Sequence, residues 1–222
     1  MKNSTAIELK NFSIGLPKTM KYGDGKEMST GICKELVQKA FLTKEGFHGD
    51  GVADLRYHGG PDRAVCVYPY EHYLFWEQEF MKRLPHATFG ENITVTNMIE
   101  QEVCIGDIYR LGDAVIQITQ GRIPCSTITK RTNNPNLLKR MVETGFTGYL
   151  CRVLEEGTVR KDSNITLIEP HPKQVTILFA NQIYFQKTKD IDGIKRVLDV
   201  QELAFEWQEF LQKRLDKLTH SN

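Results

Sequence analysis

The chain has 222 residues, 40% of them hydrophobic and 26% charged, as in an ordinary soluble globular protein of one large domain, or of one medium domain with a small appendage. That length buries a core without disulfide or metal staples. Twenty-nine basic residues face 28 acidic ones, a net charge of +1 with no long basic run, so nucleic acid is not the default partner.

The amino terminus, MKNSTAIELKNFSIG, has no apolar signal core, and no uninterrupted apolar run approaches the ~20 residues that span a bilayer, so a cytoplasmic protein off the membrane is expected. Five cysteines (Cys33, Cys66, Cys104, Cys125 and Cys151) lie far apart, so there is no C-x-x-C pair for zinc or redox exchange. The odd count argues against a disulfide framework.

From residue 5 to about 168 the elements read as short strands. AIELKNFSIG and STGICKELV flank the turn-rich YGDGKE, as a hairpin would. RAVCVYP, ENITVTN, EVCIGDIYRLG, AVIQITQ, GYLCRVLEEG and NITLIEP follow, each bounded by Gly, Asn, Asp or Pro. Short strands with regular turn punctuation predict a mainly β, barrel- or sandwich-like body. Two helices interrupt it. YEHYLFWEQEFMKRL sets Tyr73, Trp76 and Phe80 on one face, and PNLLKRMVETG is closed by Gly145.

EPHPKQ, residues 169–174, reads as a linker, and beyond it the pattern is helical. TILFANQIYFQ is one helix. DIDGIKRVL is a second, with Asp190 as N-cap. DVQELAFEWQEFLQKRLDKL is the third, with Asp199 as its cap and Glu202 at the capping-box position. Leu203, Trp207, Phe210, Leu211, Leu215 and Leu218 form its apolar stripe. The expected division is a β-rich domain over 1–170 and a small three-helix domain over 171–222. Such a tail is marginal alone. Three roles stand open for it: docking a redox partner, a homodimer contact, or covering one end of the barrel.

Three stretches carry chemistry. In RYHGGPDRAVCVYP, Gly59 and Gly60 permit φ > 0, and consecutive N–H groups there can form an anion nest. His58 and Arg63 would add charged donors for a phosphate. The plainer reading is a tight turn with Asp62 and Arg63 paired on the surface. In TQGRIPCSTITKR, Cys125 sits in a polar, basic loop, where Arg122, Lys130 and Arg131 would stabilise a thiolate, a nucleophile and soft metal ligand. The other four cysteines read as small buried hydrophobes. With no zinc-like partners nearby, a metal carried by a cofactor would need only that one protein thiolate. In FGENITV, Asn92 can donate and accept at a strand entrance, or simply build a turn. GFHGDG, with His48 and Asp50, reads as a turn.

Taken in order, GDGVADLRYHGGPDRAVCVYPYEHY, FGENITV, VCIGDIYRLGDAVIQITQGRIPC and TGYLCRVLEEG resemble the MOSC domain, the domain shared with the C-terminal part of molybdenum cofactor sulfurases. The match is nearest to its YiiM-like branch, whose small three-α-helix domain resembles residues 175–218. The resemblance implies a β-barrel-like fold binding the molybdenum cofactor (a pterin dithiolene with a terminal phosphate). It implies that Cys125 ligates molybdenum or carries sulfur. His58, Gly59, Gly60, Arg63, Asn92 and Arg122 would then lie near the cofactor. The implied activity is reduction of N-hydroxylated compounds, including hydroxylamino base analogues, with electrons from a partner redox protein. A carrier of cofactor or sulfur is the alternative, and a cofactor-free thiol protein a third reading. Relatives often have Gln-Pro-Arg where this chain has Gln120-Gly121-Arg122, which predicts a more flexible loop. No lysine sits in a setting that argues for a Schiff base, so pyridoxal phosphate is not expected.

Overall fold

The computed structural model describes residues 6–54 and 59–220. Among them the strands are β1 Glu8–Ile14, β2 Lys18–Tyr22, β3 Lys26–Thr30, β4 Glu35–Leu36, β5 Lys39–Thr43, β6 Gly46–Phe47, β7 Val65–Pro69, β8 Ile93–Thr96, β9 Ile108–Leu111, β10 Ala114–Gly121, β11 Tyr149–Glu155, β12 Gly157–Arg160 and β13 Ile165–Glu169. The helices are α1 Tyr70–Phe80, α2 Ser126–Thr132, α3 Leu137–Thr144, α4 Ile177–Phe185, α5 Ile191–Leu198 and α6 Phe205–His220, and Pro61–Arg63 forms a single 3-10 turn.

Eight strands make one curled sheet in the order β13-β9-β10-β11-β7-β8-β1-β4. Its edges, β13 and β4, do not pair with each other among the described residues, so the sheet is a half-barrel rather than a closed barrel. The mainly β body with C-terminal helices is the expected fold class. Only β7 and β8 run parallel within this sheet, with Val67 opposite Ile93. A parallel pair needs a crossover, and α1 supplies it. Tyr73 and Trp76 are buried on its inner side, and Phe80 is partly buried.

Strand β10 is buried along its whole length. Its near-continuous apolar run, Ala-Val-Ile-Gln-Ile-Thr, is what a strand covered on both faces requires. One cover is α4, which packs on β10. Sheet residues and the tail's Ile177, Ile183, Ile194, Val197, Trp207 and Leu211 belong to one hydrophobic cluster. A second cluster gathers Met20, Ile32, Tyr68, Trp76, Phe89, Ile128 and Met141 beneath α1, α2 and α3. No helix among the described residues is long and apolar enough to cross a membrane.

The structure refines several expectations. The YGDG turn itself joins β2 to β3, and the two stretches that flank it pair as expected through β1 and β4, with Ser13 opposite Leu36, while the rest of β1 pairs with β8. Fully buried Phe12 on β1 takes that strand into the main sheet, whereas charged β2 and β3 stand apart as their own pair. Strands β5, β6 and β12 are only two to five residues long, and they form a small separate sheet that the sequence reading did not anticipate. The linker stretch 169–174 and the residue after it are hydrogen-bonded to the β-rich body: Ile105 N–H donates to the Val175 carbonyl (2.9 Å), and His171 N–H to Asp107 Oδ1 (2.7 Å). Asp190 caps α5 through Gly193 N–H as expected, but Asp199 is the C-cap of α5, not the cap of the last helix. A turn at Val200–Leu203 separates it from α6. Glu202 instead lies 3.0 Å from His171 Nε2.

The expected flexibility at Gly121 is also absent. Gly121 is the buried last residue of β10, and a Cβ there would stand 1.8 Å from Asn181 Oδ1 and 3.2 Å from Trp207 Cη2. The missing side chain is filled by the tail. Asn181 Nδ2 donates to the Gly145 carbonyl (2.8 Å) and Thr147 Oγ1 (2.9 Å), which holds it in that position. Gly121→Ala is expected to lower the free energy of unfolding by about 1–3 kcal/mol in urea titration, as overpacking does. Gly121→Ala combined with Asn181→Ala is expected to cost less than the sum of the two single changes, because they share one contact.

Candidate active site around Cys125 and Arg122

After Gly121 the chain leaves the sheet, and Arg122 N–H donates to the Gly148 carbonyl at 3.0 Å. Gly148 N–H in turn donates to Glu100 Oε1 (2.8 Å), and Glu100 Oε2 lies 2.5 Å from His72 Nε2 in a buried pair. His72 stacks on Phe146 with ring centroids 4.1 Å apart. A buried polar chain therefore fixes the backbone at Arg122 from below.

Cys125 is the last residue of the short loop 122–125 that follows β10. It is the N-cap residue of α2, with extended φ −112° and ψ 159°. Helix α2 has only two buried residues, Ile128 and Thr132, so its periodicity is too weak to read in sequence. Cys125 is half-buried and packs against the second hydrophobic cluster.

The three basic neighbours divide. Lys130 Nζ lies over the Tyr22 ring at 4.9 Å, and Arg131 donates to the Ile32 and His86 carbonyls. Both are engaged away from Cys125. Arg122 remains, and its Nη1 is buried with no hydrogen-bond partner among the described residues. Burial works against this guanidinium, yet Cys66, Cys125, Glu91 and Tyr68 around it hold its pKa above the ordinary arginine value. A buried cationic donor without an acceptor is costly. An anionic or electron-rich group, or a water molecule, would satisfy it.

Cys66 is one of two cysteines that sequence reasoning placed too deep. It is half-buried and interacts with Arg122, rather than being a core residue like Cys104 and Cys151. Burial raises its pKa, with Arg122 opposing. Cys33, also read as core, is half-buried too.

Asn92 is 3% exposed and its side chain is engaged internally. Its Oδ1 accepts from Cys66 N–H (3.0 Å), and its Nδ2 donates to Asp50 Oδ2 (2.7 Å) and the Ser13 carbonyl (3.3 Å). Lys34 Nζ holds both oxygens of the same Asp50 carboxylate, and the pair is 6% and 14% exposed. Glu91 accepts from Tyr73 Oη (2.5 Å) and Thr94 Oγ1 (3.0 Å). Lys34, Asp50 and Glu91 thus wall the site. In sequence only their charge was visible, because their partners lie outside their own elements.

Gly59 and Gly60 have φ of 80° and 93°. Asp62 and Arg63 do not pair with each other: Asp62 meets Arg152 Nη2 at 2.8 Å, and Arg63 Nη1 meets Glu206 Oε2 at 2.5 Å. Thr119 Oγ1 donates to the Asp62 carbonyl (2.7 Å), which ties this turn to β10 two residues before Gly121. His58 lies outside the described residues.

Among the described residues no cluster of three or more His, Cys, Asp or Glu is arranged to hold a metal ion. The donor set is one thiol at a helix start beside one unsatisfied guanidinium. That set fits an anionic group that brings its own metal ligands. A sequence profile of the MOSC domain matches residues 54–166, which contain this whole constellation apart from its Lys34–Asp50 wall, and a YiiM-like 3-alpha helix domain matches residues 175–218. The chain belongs to the MOSC domain family. Uncharacterized protein YflK of Bacillus subtilis (strain 168) is 43% identical over 209 residues, 94% of each chain. Protein YiiM of Escherichia coli (strain K12) is 35% identical over 201 residues, 89% of this chain and 88% of that one. A protein named Reductase from Gibberella moniliformis (strain M3125 / FGSC 7600) is 38% identical over 155 residues, 67% of this chain but 28% of its own length. The crystal structure of YiiM from Geobacillus stearothermophilus superposes with a TM-score of 0.80 at 30% identity, over 94% of this chain and 99% of that one.

In this MOSC protein Asn92→Ala is expected to cost about 2–3 kcal/mol in chemical unfolding, because it strips buried partners from Cys66 N–H and Asp50. Burial pushes the Cys104 thiol up to about 11 and raises Cys151 as well. Iodoacetamide at about pH 8 is therefore expected to modify Cys125 well before either of them, read by peptide mass spectrometry.

Proposed function

We propose that this chain binds the molybdenum cofactor and acts as an oxidoreductase on N-hydroxylated compounds, hydroxylamino base analogues among them. The observation that carries the reading is the buried Arg122 Nη1, which lacks an acceptor next to the Cys125 thiol. The family membership and the reductase-named relative support it.

When bound, the cofactor supplies the metal centre and its two-electron chemistry. Cys125 holds the metal through Sγ as a thiolate. Arg122 Nη1 donates to an anionic atom of the bound group, which satisfies the guanidinium. The backbone N–H groups at Gly59 and Gly60, with His58 and Arg63, hold the terminal phosphate. Asn92 acts from the wall, keeping Cys66 and Asp50 in register. The net reaction takes R–NH–OH, two electrons and two protons to R–NH2 and water. The electrons come from a partner redox protein.

The test is molybdenum content and oxidised-pterin fluorescence of protein purified without air from cells that make the cofactor. Wild type is expected to hold both near stoichiometrically and Cys125→Ser to lose them. Arg122→Gln is expected to bind about 10- to 100-fold more weakly, as losses beside a metal ligand do. The same change is expected to leave the unloaded fold as stable or more so, since it removes a buried unpaired charge. Full metal in Cys125→Ser would falsify the assignment. Bound cofactor without turnover of a hydroxylamino base by an artificial electron donor would leave the carrier reading in its place.

A further inference from the structure

The turn assigned above to the phosphate is held by the far end of the chain. Phe205 N–H, one of the first amides of α6, donates to Asp62 Oδ2 at 3.0 Å. The next residue, Glu206, carries the carboxylate that meets Arg63 Nη1 at 2.5 Å. The residue before, Ala204, donates its N–H to the Thr119 carbonyl at 3.1 Å. Thr119 Oγ1 then reaches the Asp62 carbonyl and the Leu150 carbonyl (2.9 Å). Three successive tail residues therefore grip both the turn and β10.

Each partner has a reason to be there. The first amides of a helix have no acceptor within it. Here Asp62, 143 residues away, supplies that acceptor in place of a local cap. Asp62 Oδ1 is fixed meanwhile by Arg152 through Nε (3.0 Å) and Nη2 (2.8 Å). Arg63 is aimed from two sides, since its Nε donates to the Gly59 carbonyl at 2.7 Å while Glu206 takes Nη1. Arg63 is 21% exposed and Glu206 51% exposed. An exposed ion pair adds little to stability. Its effect lies in where it directs the guanidinium.

We propose that the first turn of α6 positions the Gly59–Arg63 turn, and that Glu206 and Asp62 are positioning residues that set affinity for the anionic ligand without touching it. This deepens the reading above and rests on it for the identity of the ligand. It gives the three-helix tail a task at the site.

The experiment compares full-length wild type, Glu206→Ala, Glu206→Asp and the control Glu209→Ala, which removes an exposed acid of the same helix that pairs with Lys213 one turn on. Isolated molybdenum cofactor is titrated and followed by pterin fluorescence, and amide exchange at Gly59, Gly60, Asp62, Arg63 and Ala64 is measured on cofactor-free protein. Glu206→Ala is expected to weaken cofactor binding about five- to tenfold, a usual size for coupling between distinct sites. It is also expected to speed exchange in the turn, with little change in melting temperature. Glu206→Asp should recover part of both effects, and Glu209→Ala should show neither. If wild type binds and Glu206→Ala binds equally well, positioning is overturned while the cofactor reading stands. If wild type binds no cofactor, that reading fails, and exchange alone decides: unchanged exchange in Glu206→Ala rejects the clamp, and faster exchange supports it.

Discussion

At the end of β10 the side-chain amide of Asn181 occupies the space where any residue but glycine at position 121 would place its Cβ. Much of the molecule depends on that contact. It lets α4 lie close on β10, so β10 is covered on both faces. It brings Trp207 to the same point. It also sets the path of the next residue, Arg122, whose amide is tied to Gly148 and through it to the buried Glu100 and His72. The chain leaves the sheet at a fixed angle there and delivers Cys125 to the start of α2.

Electrostatics around that exit are unusual for a protein interior. Lys34 with Asp50 and Glu91 with its hydroxyl donors are each satisfied from within. Arg122 is not. A folded chain tolerates one unsatisfied buried cation when a ligand completes it, and functional sites are where such local costs accumulate. The satisfied charges have a different task. They hold the wall against which the unsatisfied one is aimed, and Asn92 links that wall to β7 through the Cys66 amide.

The helical tail enters this arrangement twice. Through Asn181 it shapes the end of β10, and through Ala204–Glu206 it grips the turn at Asp62 and Arg63. Its apolar residues join the sheet's own hydrophobic cluster. A helical unit of this size has too little core to stand well alone. Packing on β10 supplies the missing core.

The strands RAVCVYP, AVIQITQ and GYLCRVLEEG, the helix with Tyr73 and Trp76, and the cap at Asp190 were legible because each is a local pattern of hydrophobicity or hydrogen bonding. So was the distinction of Cys125 from Cys104 and Cys151, since polar and basic neighbours differ from apolar ones within a few residues. What could not be read was every pairing across the chain. Asp62 caps a helix 143 residues away, Lys34 finds Asp50, Cys66 faces Arg122, and Lys130 and Arg131 turn away from the cysteine they adjoin in sequence. By itself the sequence determined periodicity, turn chemistry and the kinds of reactive group present, because those depend on neighbours along the chain. Only the tertiary structure decided which charges are satisfied and which, Arg122 among them, are left over, because that depends on the groups folding brings together from outside each element.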